Sequence, residues 1–363
     1  MKFKLNYRFS TGQWAGGTGP DGIGMTPGRA RVVLSRFVLG VLAAAFRFSG
    51  VRELSVTIII AARPGQADVR AVDAARALDF PAERLEILLA RGNQPSVQRN
   101  AALRAAHGDI IYFLDDDSVA APGNLRRGVV HFESADVKMA GGPSLCPPDA
   151  PALQQAFALA MGSFAFGPSC SRYRSRGDVR ASSEKELILC NLLARREDLL
   201  ELGGFNELLY PNEENALMDE LQKRGGRLLY DPGLIVHRLP RPNFRAFCKM
   251  LWNYGRGRAE QVRVNPTLRS APNFVPPLIC VFFAALPFLP PAAGWLALLY
   301  FAAVLGVSVA VLPARKWYWL PWIMGLVLVS HIVYGLGFWR GCLKKPKPPS
   351  AAVSEGVKIE RVQ

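Results

Sequence analysis

Close cysteine pairs are missing from this chain. Its six cysteines, Cys146, Cys170, Cys190, Cys248, Cys280 and Cys342, are scattered. That excludes the usual zinc-ligand spacings and gives no disulfide framework. Such usage suits a reducing compartment, so the soluble part is expected in the cytosol. Acidic residues are also in short supply. The chain has 29 Asp and Glu against 44 Lys and Arg, a formal net charge of +15. A basic balance suits nucleic acid, an anionic membrane surface or phosphorylated substrates. There is no zinc-finger spacing, no aromatic RNA-binding signature and no basic helix with heptads, so no nucleic-acid partner is expected. The apolar run 30–48 has no clean small-residue cleavage site after it, which argues against a signal peptide. Arg31, Arg36 and Arg47 flank or interrupt that run. A helix lying on the membrane surface fits it better than a span, with a core helix as the other reading.

Charge vanishes from Ala292–Leu312, and Leu320–Trp339 holds only His331 as an ionisable group. Both stretches are long enough to span a bilayer. Trp295, Trp317, Trp319, Trp322 and Trp339 cluster near their ends, as interfacial aromatics do. Phe274–Leu289 is apolar but broken by Pro276, Pro277 and Pro287. Arg340, Lys344, Lys345 and Lys347 follow the last run, and the positive-inside rule puts that tail in the cytosol. An even number of crossings then keeps the soluble domain cytosolic, and Phe274–Leu289 reads as re-entrant or interfacial. The expected layout is an extension over 1–53, a soluble domain over 54–262, a membrane region over 263–342 and a basic tail over 343–363.

From Leu54 the pattern alternates strands and helices. Leu54–Ala62, Leu85–Ala90 and Ile110–Leu114 read as apolar strands, with helices over Asp68–Leu78 and Ser96–Ala106 between them. This predicts an α/β fold of parallel βαβ units with both sheet faces covered. A second unit follows, with a strand over Leu187–Leu193 and helices over Arg196–Leu202, Glu213–Arg224 and Phe244–Tyr254. Asp115, Asp116 and Asp117 directly follow the third strand. Ligands of α/β sheets bind beyond the carboxyl ends of strands. Three adjacent carboxylates repel one another, and burial raises the cost. A solvated acidic turn is the plainer alternative, but it does not explain three carboxylates after a fully apolar strand. A cation should offset them, and hard cations held by carboxylates and substrate phosphates are the natural candidates.

Four motifs, taken together, resemble the family 2 inverting glycosyltransferases of GT-A fold. They are Ser55–Arg63; Gln98-Arg99-Asn100 with Gly108–Asp117; Asn191–Arg196 with Gly203-Gly204-Phe205-Asn206-Glu207; and Asn212-Glu213-Glu214. The likeness covers roughly 54–262 and is strongest to membrane-anchored members that build bacterial exopolysaccharides of the succinoglycan type. It implies a GT-A, Rossmann-like nucleotide-sugar-binding domain followed by C-terminal transmembrane helices. It also implies a nucleotide-diphosphate sugar donor and a Mg or Mn ion. The acceptor would be lipid-linked or a glycan, with polysaccharide assembly machinery as partner. The location would be the bacterial inner (plasma) membrane, multi-pass, with the catalytic domain cytosolic.

The resemblance also implies roles for particular residues. Asp117 would ligate the metal, and Asp115 would touch ribose or metal, with Asp116 beside them. Ala62 and Arg63 would form the nucleotide loop, and Arg99 and Asn100 would touch base or diphosphate. Glu214 would be the general base, with Glu213 orienting it or touching the acceptor. His237 is a further candidate metal ligand. Arg256 and Arg258, on a Gly-rich segment, could clamp the departing diphosphate or attract anionic lipid. Three departures stand out. Glu214 replaces the usual Asp, Arg91 stands where an acidic residue usually reads the base, and no QxxRW motif is present, which argues against a processive synthase. Two competing functions remain. One is another metal-dependent nucleotidyl- or phosphotransferase. The other is a membrane scaffold with a degenerate transferase domain.

Overall fold

The computed structural model describes residues 53–210, 212–264, 266, 268–343 and 356–363. The expected surface helix at 30–48 lies outside the described residues. The strands are β1 (Val56–Ala62), β2 (Leu85–Arg91), β3 (Ile110–Asp115), β4 (Val119–Ala120), β5 (Val137–Gly141), β6 (Ser144–Leu145), β7 (Arg180–Ala181), β8 (Asn191–Arg195), β9 (Arg227–Tyr230), β10 (Val236–His237) and β11 (Lys358–Arg361). The helices are α1 (Arg70–Arg76), α2 (Pro95–Ala105), α3 (Asn124–Val130), α4 (Ala152–Met161), α5 (Arg196–Glu201), α6 (Glu213–Lys223), α7 (Phe244–Val264), α8 (Val275–Ala285), α9 (Ala293–Val311) and α10 (Leu320–Leu343).

Eight strands make one sheet in the order β11-β2-β1-β3-β8-β5-β9-β7. β1 pairs parallel with β2 and β3, as the apolar runs predict. The sheet then turns mixed. β8 is antiparallel to both β3 and β5. Apolar clusters cover both faces, one around Ile58, Ile60 and Tyr112, the other around Ile59, Phe113 and Leu192. The expected strand over Leu187–Leu193 starts later, because pairing begins where Asn191 meets Leu114. Asn191 fixes that start. Its amide accepts from the buried Tyr112 hydroxyl at 2.8 Å and donates to the Leu234 carbonyl at 2.7 Å.

A second, three-stranded sheet, β4-β10-β6, sits just past the aspartates. Its register, with His237 opposite Val119, brings Arg238 beside the end of β3. β11 was not expected. Lys-Ile-Glu-Arg is short and polar, as edge strands often are. It pairs antiparallel with β2, so the chain returns to the eight-stranded sheet after the apolar helices.

Three helical segments are long and apolar enough to cross a membrane: Ser270–Phe288, Ala293–Val311 and Ala314–Leu343. Their outward faces stay apolar, with Trp295, Leu299, Trp317 and Trp322 all exposed. A third core joins α9 and α10 to α4 and α7 through Val304, Ile323, Phe157 and Phe247. The Phe157 and Phe247 rings stack with centroids 4.2 Å apart.

The helix expected to end at Tyr254 continues to Val264. Gly255 and Gly257 therefore lie inside a helix, not on a flexible segment. Gly255 is there for close approach: a Cβ would fall inside the van der Waals shell of the Tyr334 carbonyl oxygen on α10. Gly337 and Gly341 meet α7 backbone in the same way, the small-residue seam of packed apolar helices. Helix propensity alone makes Gly255→Ala stabilising by about 1 kcal/mol. The seam predicts the opposite, a loss of roughly 1–3 kcal/mol from overpacking. Thermal unfolding in detergent should show a lower Tm for the variant, and a higher Tm would contradict the seam.

Candidate active site

Asp115 ends β3 opposite Ala61, and the turn that follows carries Asp116 and Asp117. Two guanidiniums meet these carboxylates. Arg99, from α2, reaches Asp115 Oδ1 through Nη2 at 2.8 Å and Glu213 Oε1 through Nη1 at 3.3 Å. Arg238 bridges the cluster, with Nη1 2.8 Å from Asp115 Oδ2 and Nε 2.6 Å from Asp117 Oδ1. The two aspartates therefore converge on one cationic centre. Burial pushes the Asp115 carboxyl up, but Arg238, Arg99 and Arg241 outweigh it and hold the group below its ordinary value. At Asp117 burial prevails over Arg238, aided by the neighbouring carboxylates, and the group is pushed up. Burial and Glu214 push Glu213 up to about 8, against the pull of Arg99.

A cavity of about 420 Å³ lies beside this cluster, with Ala62, Arg63, Arg99, Asp115, Asp116 and Glu213 in its wall, while Asp117 does not border it. Tyr210, Arg238, Arg241 and Tyr254 also border it. Ala62 is held by Gln98, whose Nε2 donates to the Ala62 and Ala90 carbonyls at 2.8 and 2.6 Å. A second cavity, of about 370 Å³, runs from Glu214 and Asn215 to α8 and α10, past Arg172 and Arg258. Glu214, Ile188 and Tyr254 border both cavities. The two spaces thus meet at a carboxylate in the first turn of α6.

Behind Glu214 lies a buried polar network. Asn215 Oδ1 accepts from Arg172 Nη2 and from Arg258 Nη2, each at 2.9 Å. Asn215 Nδ2 donates to Asn212 Oδ1 at 2.7 Å and to Glu214 Oε1 at 3.1 Å. Gln261, one helical turn after Arg258, accepts from Arg258 Nη1 at 3.1 Å and from Asn212 Nδ2, and donates to Asp219 Oδ2 at 3.3 Å. The network ties the start of α6 to α7. Burial and the nearby Arg172 pull the Arg258 guanidinium down from its ordinary value.

Several expected roles change place. Asn100 does not border the cavity beside the aspartates. It closes the Gly203–Glu207 turn, donating to the Phe205 carbonyl at 2.8 Å and Glu207 Oε1 at 2.9 Å while accepting from the Phe205 amide at 2.8 Å. His237 borders neither cavity. Its neighbour Arg238 is the side chain that meets the aspartates. Continuation of α7 separates Arg256 from Arg258. Arg256 lies 3.6 Å from Glu260, one turn on, and borders neither cavity, whereas Arg258 faces the second one. Arg91 is occupied by β11, with Nε 3.1 Å from Glu360 Oε2 and Nη1 2.7 Å from the Gln66 carbonyl. The pair Arg238 and Arg241, following a short strand, is the one sequence signal that could have located the missed cations.

Among the described residues no group of three or more His, Cys, Asp or Glu is arranged to hold a metal ion by itself. Asp115 and Asp117 nonetheless fit one. Two carboxylate oxygens within 3 Å of a single guanidinium offer hard donors to a cation whose other ligands would come from substrate phosphate.

The site is an acidic, arginine-bridged sheet end facing one cavity, joined at a carboxylate to a second. The chain belongs to the glycosyltransferase-like family 2: the model described as "Glycosyltransferase like family 2" matches residues 29–252. Its domain is GT-A-like, a mixed α/β sheet followed by three long apolar helices. Among solved structures, the mannosyltransferase PcManGT from Pyrobaculum calidifontis in complex with GDP-Man and Mn2+ is 14% identical, with a TM-score of 0.50. The match covers 78% of this chain and 87% of that one. S. aureus TarS 1–349 in complex with UDP-GlcNAc is 12% identical, with a TM-score of 0.42, over 79% of this chain and 92% of that one. No curated protein matches the chain significantly.

Glu213 gives a pH test. Its folded value lies near 8 against an ordinary 4.5. Between those values the folded chain keeps a proton that the unfolded chain has released, so stability falls as pH rises through that interval. Glu213→Gln removes this titration. The wild-type Tm, measured against that variant, should drop from pH 5 to pH 8. A flat or rising difference would show that Glu213 titrates normally.

Proposed function

We propose that the protein is a metal-dependent, inverting glycosyltransferase that moves a sugar from a nucleotide-diphosphate donor to a lipid-linked or glycan acceptor. The observation that carries this reading is Glu214, which borders both cavities. The donor occupies the cavity beside Asp115–Asp117, and the acceptor occupies the one that reaches α8 and α10. Glu214 Oε takes the proton of the acceptor hydroxyl as its oxygen attacks the anomeric carbon. The bond from that carbon to the diphosphate oxygen breaks, and its electron pair leaves with the nucleoside diphosphate. Attack from the face opposite the leaving group inverts the centre. A divalent cation held by Asp115 and Asp117 would neutralise charge on the departing diphosphate. Arg99 and Arg238 stand within reach of the same phosphates and can pair with them in bidentate fashion.

The GDP-Man and Mn2+ bound to PcManGT accord with such a donor and ion. The apolar helices accord with a multi-pass protein of the bacterial plasma membrane, acting at its cytosolic face with cell-surface polysaccharide assembly. β11 supports an even number of crossings, since residues 358–361 rejoin the catalytic sheet after three apolar segments. One segment then does not cross, and the proline-broken Ser270–Phe288 helix is the one assigned to the interface.

Asp117→Asn and Glu214→Gln should each lower transfer at least a hundredfold, within the range of general-base contributions, in protein that still folds. The product of the wild type should be a glycoside plus nucleoside diphosphate. Release of pyrophosphate, or a phosphoryl adduct, would favour a nucleotidyl- or phosphotransferase instead. Full activity in either variant would remove that residue from the mechanism.

A further inference from the structure

The second cavity holds more positive charge than a neutral acceptor explains. Arg172 and Arg258 are each only 8% exposed, and both donate to one amide oxygen, Asn215 Oδ1. Arg172 also donates to the Glu184 carbonyl. Arg172 Nε is buried without any partner. Among the described residues neither guanidinium has a carboxylate at ion-pair distance, whereas Arg99 and Arg238 each have two. Glu184 and Glu214 offset the Arg258 charge in part from beyond ion-pair distance, but two buried like charges sharing a neutral oxygen still favour an anion that joins them. The donor diphosphate is not that anion by position, because neither Arg172 nor Arg258 borders the cavity beside the aspartates.

The rest of the wall says what the anion is attached to. Val275 and Pro276 of α8, and Ser330, His331 and Tyr334 of α10, form the far end of the cavity. Both helices belong to segments apolar enough to lie in a bilayer. The cavity therefore brings together Glu214, a pair of guanidiniums and residues of two helices apolar enough to lie in a bilayer. We propose that Arg172 and Arg258 bind the phosphate or diphosphate that links an acceptor glycan to a lipid chain, with the glycan hydroxyl at Glu214 and the chain directed along α8 and α10. This deepens the transferase reading and rests on it. It moves Arg258 from the donor to the acceptor side and gives the buried network behind Glu214 a second task, holding both guanidiniums in place.

The test is thermal unfolding of the full chain in detergent, with nucleoside diphosphate and Mn2+ saturating so that the donor site is filled. Farnesyl diphosphate, farnesol and inorganic pyrophosphate are then added separately as probes. Farnesyl diphosphate should raise Tm, and the other two should not, at matched concentrations. Arg172→Gln and Arg258→Gln should each weaken farnesyl diphosphate binding about tenfold or more. The Tm rise caused by nucleoside diphosphate should be unchanged in both variants, which also shows that they fold. Equal stabilisation by farnesol would make the cavity a plain apolar pocket and overturn the proposal. Equal stabilisation by pyrophosphate would make it a free-anion site and overturn it too. So would wild-type affinity in both variants. A wild type that responds to farnesyl diphosphate but to no nucleoside diphosphate would instead sink the donor-site reading beneath it.

Discussion

The bridge from Arg238 to Asp115 and Asp117 is the interaction on which the rest depends. β3 is buried along its length and delivers its last carboxylate into a low-dielectric sheet end. Two more carboxylates follow at once, and without a counter-charge that loop would be driven apart. Arg99 and Arg238 supply the counter-charge from two directions, one from α2 and one from the end of the small sheet. The same guanidiniums therefore hold the acidic loop together, and in the proposed reaction they are the groups that would pair with the donor diphosphate.

The second constraint is mechanical. Glu214 sits in the first turn of α6, and that turn is tied to α7 through Asn212, Asn215, Arg258 and Gln261. α7 in turn lies against α10 along a seam of glycines too close for any side chain. Glu214 is thus joined to the long apolar helices through two contacts with little slack. β11 adds a second link from the other end of the chain. Its Glu360 holds Arg91, and Arg91 holds the Gln66 carbonyl beside the nucleotide loop. Membrane region and donor loop are therefore parts of one mechanical unit.

Much of this was legible in the sequence where burial acts on contiguous residues. β1, β2 and β3 are almost purely apolar because both faces are covered, and the aspartates mark the sheet's carboxyl edge. Glu213 and Glu214 were legible only through the family resemblance, since two acidic residues in a helix's first turn are by themselves a common structural preference. What was not legible depends on long-range pairing. Gly255 and Gly257 read as a helix stop, but a close helix crossing requires glycine inside the helix. Asn100 was read with Arg99 as a pair touching base or diphosphate, yet its amide is consumed by a turn a hundred residues away. Arg238 was passed over for His237, since only the register of β10 against β4 decides which of the two meets the aspartates. Arg172 has no local signal at all. Its role comes from a loop, two helices and Asn215 meeting in space.

The central claim is that the carboxylate cluster is one half of a metal–diphosphate site. Calorimetric titration of the wild type with nucleoside diphosphate, with and without Mn2+, tests it most directly. The account predicts that each ligand strengthens the other by tenfold or more, a coupling shared through Asp115 and Asp117. Equal nucleoside diphosphate affinity with and without the ion would contradict it.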